Sequence, residues 1–443
     1  MFPKILVANR GEIAVRIIRA CKEMGVLAVA VYSEADKDAL HVSLADESYC
    51  IGGPSVKDSY LNMPALLTIA LQSGASAIHP GYGLLSENAQ FARLCRQCNI
   101  TFVGPAPEVI EKLGDKDAAR RSMREAGVPI IEGCDLLEDG AMAKKEAERI
   151  GCPVLIKARS GGGGRGIRLV EKPEDAPAAY EAASQEAQAA FGDGGCYMEK
   201  FLQHTHHIEV QLLCDAYGNV ITLGERECSV QRKNQKLLEE SPSPVIMPAV
   251  REEMQKAASR AAKAVGYQGV GTVEFLYTDD GKFYFMEMNT RLQVEHPVTE
   301  FVTGVDLVKW QLRVAAGAEL PFKQQDIQLW GHAIECRINA EDPAKDFAPS
   351  CGRITELHVP GGPGVRFDTA LYQDYLIPPY YDSMIGKLIV HAPTREEALR
   401  KMRAALGELI IGGVVTSRDL QLNILGSEEI IKGNYHTDFM TNR

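Results

Sequence analysis

Residues 272–289 hold two β-rich runs on either side of Asp279-Asp280-Gly281-Lys282, and a chain with this stretch must build antiparallel sheet. Asp280-Gly281 is a strong signal for a two-residue hairpin loop. Closing that loop pairs Asp279 with Lys282 and carries Glu274 directly opposite Glu287. Asn289 then points to the same face, two residues along. Like charges placed opposite each other destabilise a sheet. The pairing calls for a cation between them, and two carboxylates with an amide oxygen are hard ligands that suit magnesium bridging to phosphates. A solvated face with splayed charges is the competing account, and a three- or four-residue loop would move the register.

The N-terminus fixes a different architecture. Residues 4–8 read as a buried strand, and Ile13, Ile17, Cys21 and Met24 share one face of a helix closed by Gly25. A second strand over 26–32 completes a parallel βαβ unit. Its turn, Asn9-Arg10-Gly11-Glu12, has one glycine where the dinucleotide fingerprint has three, so this Rossmann-like scaffold need not hold NAD. A further unit ends in Ile78-His79-Pro80-Gly81-Tyr82-Gly83, with a helix expected from about Ser86. That turn sits at the carboxyl end of a strand, where open α/β sheets bind ligands.

Between strands expected over 153–157 and 167–170 lies Ser160-Gly161-Gly162-Gly163-Gly164-Arg165-Gly166. Backbone amides without side chains approach phosphate oxygens closely, and Lys157 and Arg165 add compensating charge. The loop lacks the Lys-Ser/Thr ending and following helix of a Walker A motif. It reads instead as a flap over a triphosphate; a flexible linker is the alternative. From about residue 114 to 300 strands and hairpins are expected to dominate, followed by a helix over 306–316. Beyond 330 come short β patterns and a helix opened by Thr394 and Glu397 as a capping box. Three tightly joined parts result, 1–113, 114–329 and 330–443, in an α/β (α+β) chain.

Two polar stripes extend the candidate site. His207, Glu209 and Gln211 alternate with apolar residues, and Asn289, Arg291, Gln293 and Glu295 fall on one side if the chain stays extended. An arginine, an amide and a carboxylate beside a metal could hold a small anion and its base. More cations cluster over residues 231–236, and Arg337 lies in a strand-like alternation over 332–338.

The formal charge of −11 argues against a nucleic-acid or anionic-membrane binder, which needs a basic face. The apolar run Ile5–Ala8 is too short for a signal peptide core, and no run reaches membrane-spanning length. Eleven cysteines, an odd number, fit free thiols in a reducing compartment, so a cytoplasmic address is expected. Cys95 and Cys98 lack the second ligand pair that zinc needs, and read as two half-buried thiols.

Together these motifs resemble the ATP-grasp superfamily and, within it, biotin carboxylase. The likeness is carried by residues 4–14 and 380–388 and by His79-Pro80-Gly81-Tyr82-Gly83. It includes Glu287-Met288-Asn289-Thr290-Arg291, Gln293-Val294-Glu295-His296-Pro297 and Glu335-Cys336-Arg337-Ile338. The resemblance implies a Rossmann-like N-terminal domain, a central ATP-grasp domain with a mobile lid over about 131–203, and a β-rich C-terminal domain. It implies that Lys116 and Lys157 contact ATP phosphates beneath a flap including Gly163 and Gly164. Glu199, Lys200 and Leu202 would form the adenine hinge, with His207 near the ribose. Glu274 and Glu287, with Asn289, would hold magnesium or manganese. Lys236, Arg291, Gln293 and Val294 would bind bicarbonate, Glu295 would be its base, and Arg337 would stabilise the enolate of biotin.

The implied reaction is ATP-dependent carboxylation of biotin through carboxyphosphate. It would be the first half-reaction of an acyl-CoA carboxylase, with acetyl-CoA the expected acceptor. A biotin carboxyl carrier protein, a separate carboxyltransferase subunit and a homodimer are the implied partners. Departures from the family pattern are Asn234 where many relatives carry His, Arg159-Ser160 before the glycines, and Cys351 in place of Pro. Tyr435 to Arg443 matches poorly, so no adenine contact is assigned there. Two rival functions share parts of the pattern. Another carboxyphosphate-forming ATP-grasp ligase would not respond to free biotin. A non-catalytic nucleotide-binding regulator should lack part of the set Glu274, Glu287, Arg291 and Glu295.

Overall fold

A computed structural model describes residues 1–159 and 166–441. The glycine flap residues Gly163 and Gly164 lie outside them. The N-terminal part is a five-stranded parallel sheet in the order Glu47–Cys50, Leu27–Tyr32, Lys4–Val7, Ala77–His79, Thr101–Phe102. The expected βαβ unit is its centre, with Lys4–Val7 paired in parallel to Leu27–Tyr32 through the helix Gly11–Glu23. Ile13, Ile17 and Cys21 are buried on that helix. The helix expected from Ser86 begins at Ala89, because the side chain of Asn88 accepts from the Phe91 amide and sets the N-terminus there.

The rest is built on one eight-stranded antiparallel sheet. Its order is Phe283–Asn289, Gly269–Thr278, Thr205–Cys214, Val220–Arg232, Gln235–Ser241, His332–Asn339, Met384–Ala392, Val365–Thr369. A three-stranded antiparallel sheet of Ile167–Val170, Val154–Ala158 and Cys196–Lys200 stands apart from it and carries the glycine loop between its first two strands in sequence. The chain is thus mixed α/β, with the parallel sheet at the N-terminus and antiparallel sheets elsewhere.

Helices Lys116–Glu125, Gly140–Ile150, Ala176–Phe191 and Pro248–Ala264 fall in the region where strands were expected to dominate. The alanine-rich inner faces of the last three explain the discrepancy. Pro248–Ala264 buries Ala257, Ala258, Ala261 and Ala262 around a single Met254. Small residues at the core positions flatten the apolar periodicity by which an amphipathic helix is recognised. The helix Arg395–Glu408 is opened by Thr394, whose side chain accepts from Glu397 N, and Asp306 caps Leu307–Ala315 in the same way.

Glu274 does pair with Glu287. The loop, however, has three residues: Gly281 N donates to Thr278 O and Thr278 N to Lys282 O, both at 2.9 Å. Gly281, at φ +82°, takes the left-handed position that ends such a loop. The extra residue shifts the pairing by one, so Tyr277 faces Phe283 and Phe275 faces Phe285. A register shift between Glu274 and Phe275 then restores the offset, which a β-bulge does by accommodating one unpaired residue. Two deviations cancel, and the acidic pair forms.

Candidate active site

The row begun by that pair continues across the sheet. Glu287 faces Glu274, Glu274 faces Glu209, and Glu209 faces Arg226, on four adjacent strands. Arg226 is 0 % exposed and donates to Glu209, Gln211 (2.7 Å), Thr299 (2.9 Å) and Thr272 (3.2 Å). It anchors the end of the row.

Lys236 reaches the same row from the hairpin formed by Val220–Arg232 and Gln235–Ser241. Lys233 and Asn234 both have positive φ, at +47° and +63°, as a two-residue hairpin turn requires. The place of Asn234 is therefore conformational. Nζ of Lys236 lies 2.7 Å from Glu209, 2.6 Å from Glu295 and 3.3 Å from Glu274. Burial would lower its pKa, but the three carboxylates raise it well above the ordinary lysine range. Arg337, on His332–Asn339, lies between Glu239 (2.7 Å from Nε) and Glu295 (2.8 Å). Burial alone would raise the pKa of Glu295. Lys236 and then Arg337 outweigh it and hold the carboxylate well below its usual range. Burial pushes Glu239 up to about 7 despite Arg337.

The second polar stripe is corrected by the structure. Strand Phe283–Asn289 ends at Asn289, the chain bends, and Glu295 becomes the N-cap of the helix His296–Thr303. Arg291, Gln293 and Glu295 are consequently not brought together by an extended strand. They are held by neighbours from distant parts of the chain. Arg291 pairs with Glu87 (2.7 Å) and donates to Gln293 Oε1 (2.7 Å) and Asn289 Oδ1 (3.1 Å). Thr290 N also donates to Glu87, and Lys387 donates to the Val294 carbonyl at 2.8 Å. Glu295 is kept ionised by Lys236 and Arg337.

Around the acidic pair, Glu274 accepts from Asn289 (2.9 Å) and Gln293 (2.8 Å), and His207 Nε2 lies 3.0 Å from its other oxygen. Burial opposes its ionisation, but Lys236 and His207 hold Glu274 well below the carboxylate range. Glu287 behaves oppositely. Burial, and after it the charge of Glu274, raises its pKa, with Lys116 opposing. Among the described residues no hydrogen bond or ion pair reaches the Glu287 carboxylate. A half-buried carboxylate left uncompensated beside a second one fits a hard divalent cation. Asn289 directs its amide nitrogen at Glu274 and its oxygen at Arg291; a half-turn of the amide would exchange the two.

The remaining candidates lie on the three-stranded sheet and beside it. Lys157 on Val154–Ala158 pairs with Glu199 on Cys196–Lys200, and Arg120 holds the other oxygen of Glu199 at 2.6 Å. Lys116 opens the helix Lys116–Glu125; burial lowers its pKa while Glu287 opposes. Lys200 donates to the Gly151 carbonyl at 2.6 Å, and Leu202 follows in the loop that leaves the lid. His207 Nδ1 bonds to Gln231 at 2.8 Å. Glu87, Arg120, Arg226 and Glu239 were not singled out by the sequence. Only Glu87 had a signal, its place just past the turn at a strand's carboxyl end.

A site with Lys116 and Lys157, an acidic pair and a clamped carboxylate has counterparts among known proteins. Residues 1–110 match the family described as biotin carboxylase, N-terminal domain. Residues 115–323 match the carbamoyl-phosphate synthase L chain, ATP binding domain, and residues 335–442 the biotin carboxylase C-terminal domain. Biotin carboxylase 1 of Bacillus subtilis is 55% identical over 442 residues, covering 99% of this chain and 98% of that protein. The chain belongs to the biotin carboxylase family. It is a ligase with an ATP-grasp domain, the biotin carboxylase of a biotin-dependent carboxylase. The crystal structure of the Campylobacter jejuni biotin carboxylase–β-γ-ATP complex matches with a TM-score of 0.97 at 50% identity, covering 100% of this chain and 99% of that one. The biotin carboxylase domain of Hydrogenobacter thermophilus 2-oxoglutarate carboxylase, a dimer with MgADP, ADP and bicarbonate, matches with a TM-score of 0.95 at 52% identity. It covers 100% of this chain and 98% of that one. No helix among the described residues is long and apolar enough to cross a membrane.

Proposed function

We propose that this biotin carboxylase uses ATP and bicarbonate to carboxylate biotin on a separate carrier protein, with Glu295 as the base. The observation that carries the reading is the pair of grips on Glu295, Lys236 on one oxygen and Arg337 on the other. A carboxylate held by two cations is ionised but a poor base. Bicarbonate that takes Lys236 for itself would loosen one grip and raise the basicity of Glu295 when it is needed. Arg291, Gln293 and the Val294 amide would complete the anion site; among the described residues no acceptor takes that N–H.

Lys116 and Lys157, with Gly163 and Gly164, would bind the ATP phosphates. Glu199, Lys200 and Leu202 would line the adenine, and His207 the ribose. Glu274 and Glu287, with Asn289 after an amide turn, would hold magnesium or manganese, which when bound offsets the charge of the β- and γ-phosphates. Deprotonated bicarbonate attacks the γ-phosphate to give carboxyphosphate and ADP. Carboxyphosphate breaks down to carbon dioxide and phosphate, the phosphate takes the ureido proton of biotin, and Arg337 steadies the resulting enolate.

Glu287→Gln is expected to lower magnesium-dependent ADP formation by about tenfold or more, since a ligand matters at least as much as the groups behind it. Glu274→Gln should act in the same direction. Wild-type rates in both variants across a magnesium titration would detach the acidic pair from the metal.

A biotin-accepting lysine normally stands between two methionines, and this chain has no Met-Lys-Met; Lys401-Met402 follows Arg400. Labelled bicarbonate should therefore pass to an added biotinylated carrier, while the intact mass of this chain shows no biotin. Covalent biotin on the chain would contradict the proposal. We further propose acetyl-CoA as the final acceptor, a choice that a separate carboxyltransferase would make. Coupling to that subunit with acetyl-CoA, pyruvate and 2-oxoglutarate in parallel tests it. The matched Hydrogenobacter domain dimer supports a homodimer here, and eleven free thiols support a cytoplasmic address. The proposed division is 1–113, 114–329 and 330–443.

A further inference from the structure

His206 stands on the opposite face of Thr205–Cys214 from His207 and Glu209, away from the chemistry described above. It is 2 % exposed, and its Nδ1 has no hydrogen-bond partner. A buried polar group left unpaired is costly. Its Nε2 faces Asp279 Oδ1 at 3.8 Å, in the loop of the hairpin that carries Glu274 and Glu287. His436, from the C-terminal segment, places its Nε2 3.0 Å from the same oxygen, and the two imidazole rings lie 4.5 Å apart. One ligand atom from each of the three residues can be chosen so that all lie within 4.8 Å of one another.

We propose that His206, Asp279 and His436 form a second metal site, distinct from the magnesium site and suited to zinc. Two imidazoles and one carboxylate are zinc ligands, whereas magnesium takes oxygen. A tetrahedral ion with bonds of 2.0–2.1 Å needs its ligand atoms roughly 3.3 Å apart, and the observed 3.8 and 3.0 Å bracket that spacing. Glu227, also buried, lies 3.5 Å from His206 Nδ1. A metal on Nε2 would leave the proton on Nδ1, turned toward Glu227, the outer-shell carboxylate that zinc-bound histidines commonly have. Asp279 is 67 % exposed, so the ion can enter from solvent and keep water in its fourth position.

The site would tie the C-terminal segment to the nucleotide-side hairpin. Thr437 N already donates to the Thr205 carbonyl at 2.9 Å, immediately beside both histidines. Zinc binding should therefore stabilise the folded chain as well as occupy it.

The test uses the full chain, stripped of metal with a chelator and titrated with zinc chloride in a large excess of magnesium. Calorimetry should show one zinc per chain, and zinc should raise the melting temperature. Asp279→Asn, on an exposed loop, and His436→Gln should each weaken zinc binding by about tenfold or more and abolish the rise. Glu287→Gln should leave zinc binding intact. Unchanged zinc affinity in Asp279→Asn and His436→Gln would overturn the site. So would loss of zinc binding in Glu287→Gln, or dependence on Asp438, which clusters with His436 and His204, in place of Asp279.

Discussion

Glu295→Gln is expected to keep the fold and the ATP affinity while the rate at saturating bicarbonate falls by about a hundredfold to ten-thousandfold, the usual cost of removing a positioned base. The substitution is close in size and leaves neither cation stranded. Lys236 retains Glu209 and Glu274, and Arg337 retains Glu239. A large loss of stability is therefore not expected. If Glu295 served only as an ion-pair partner, the variant would lose bicarbonate affinity or melting temperature and still turn over normally once bicarbonate saturates. Because Lys236 and Arg337 hold its pKa well below the usual range, the wild type should also keep this base ionised through mildly acidic pH. Melting temperature, ATP binding and the saturated rate on one preparation separate the two roles.

Arg226→Met is expected to lower the free energy of unfolding by about 3–5 kcal/mol, the range for breaking a buried ion pair by removing one partner. Methionine fills much of the volume but leaves Glu209 with Lys236 and, at 4.0 Å, His207, and it strands Gln211, Thr299 and Thr272 in a dry interior. Adding Glu209→Gln should recover part of the loss, since it removes the uncompensated charge. Equilibrium denaturation by urea of the single and double variants measures both terms. A loss below about 1 kcal/mol for Arg226→Met would mean that Glu209 is already neutral in the folded chain.

What could be read from the sequence was what is local. The parallel unit at residues 4–32, the Thr394 cap and the strand around Arg337 follow from spacing alone. The Glu274–Glu287 pair was also legible, although through a two-residue loop that is in fact three residues with a compensating bulge. A loop's chemistry marks the turn, but the ladder beyond it decides the register. The extension of the strand past Asn289 failed because the fate of residues 290–295 depends on Glu87 and Lys387, contributed from more than ninety residues away on either side. The partners of Glu295 were missed for the same reason. Lys236 and Arg337 are separated from it by 59 and 42 positions and meet it only through sheet order. Helices that bury alanine carried too little apolar contrast to be seen.

ADP release from the purified chain with ATP and magnesium, with and without bicarbonate and free biotin, decides whether biotin is the carboxyl acceptor. A biotin carboxylase should need bicarbonate for turnover and speed up when free biotin is added, with Glu295→Gln silent under both conditions. Bicarbonate-dependent turnover indifferent to biotin would contradict the account and point to another carboxyphosphate-forming ligase, and no turnover under any condition would point to a nucleotide-binding regulator.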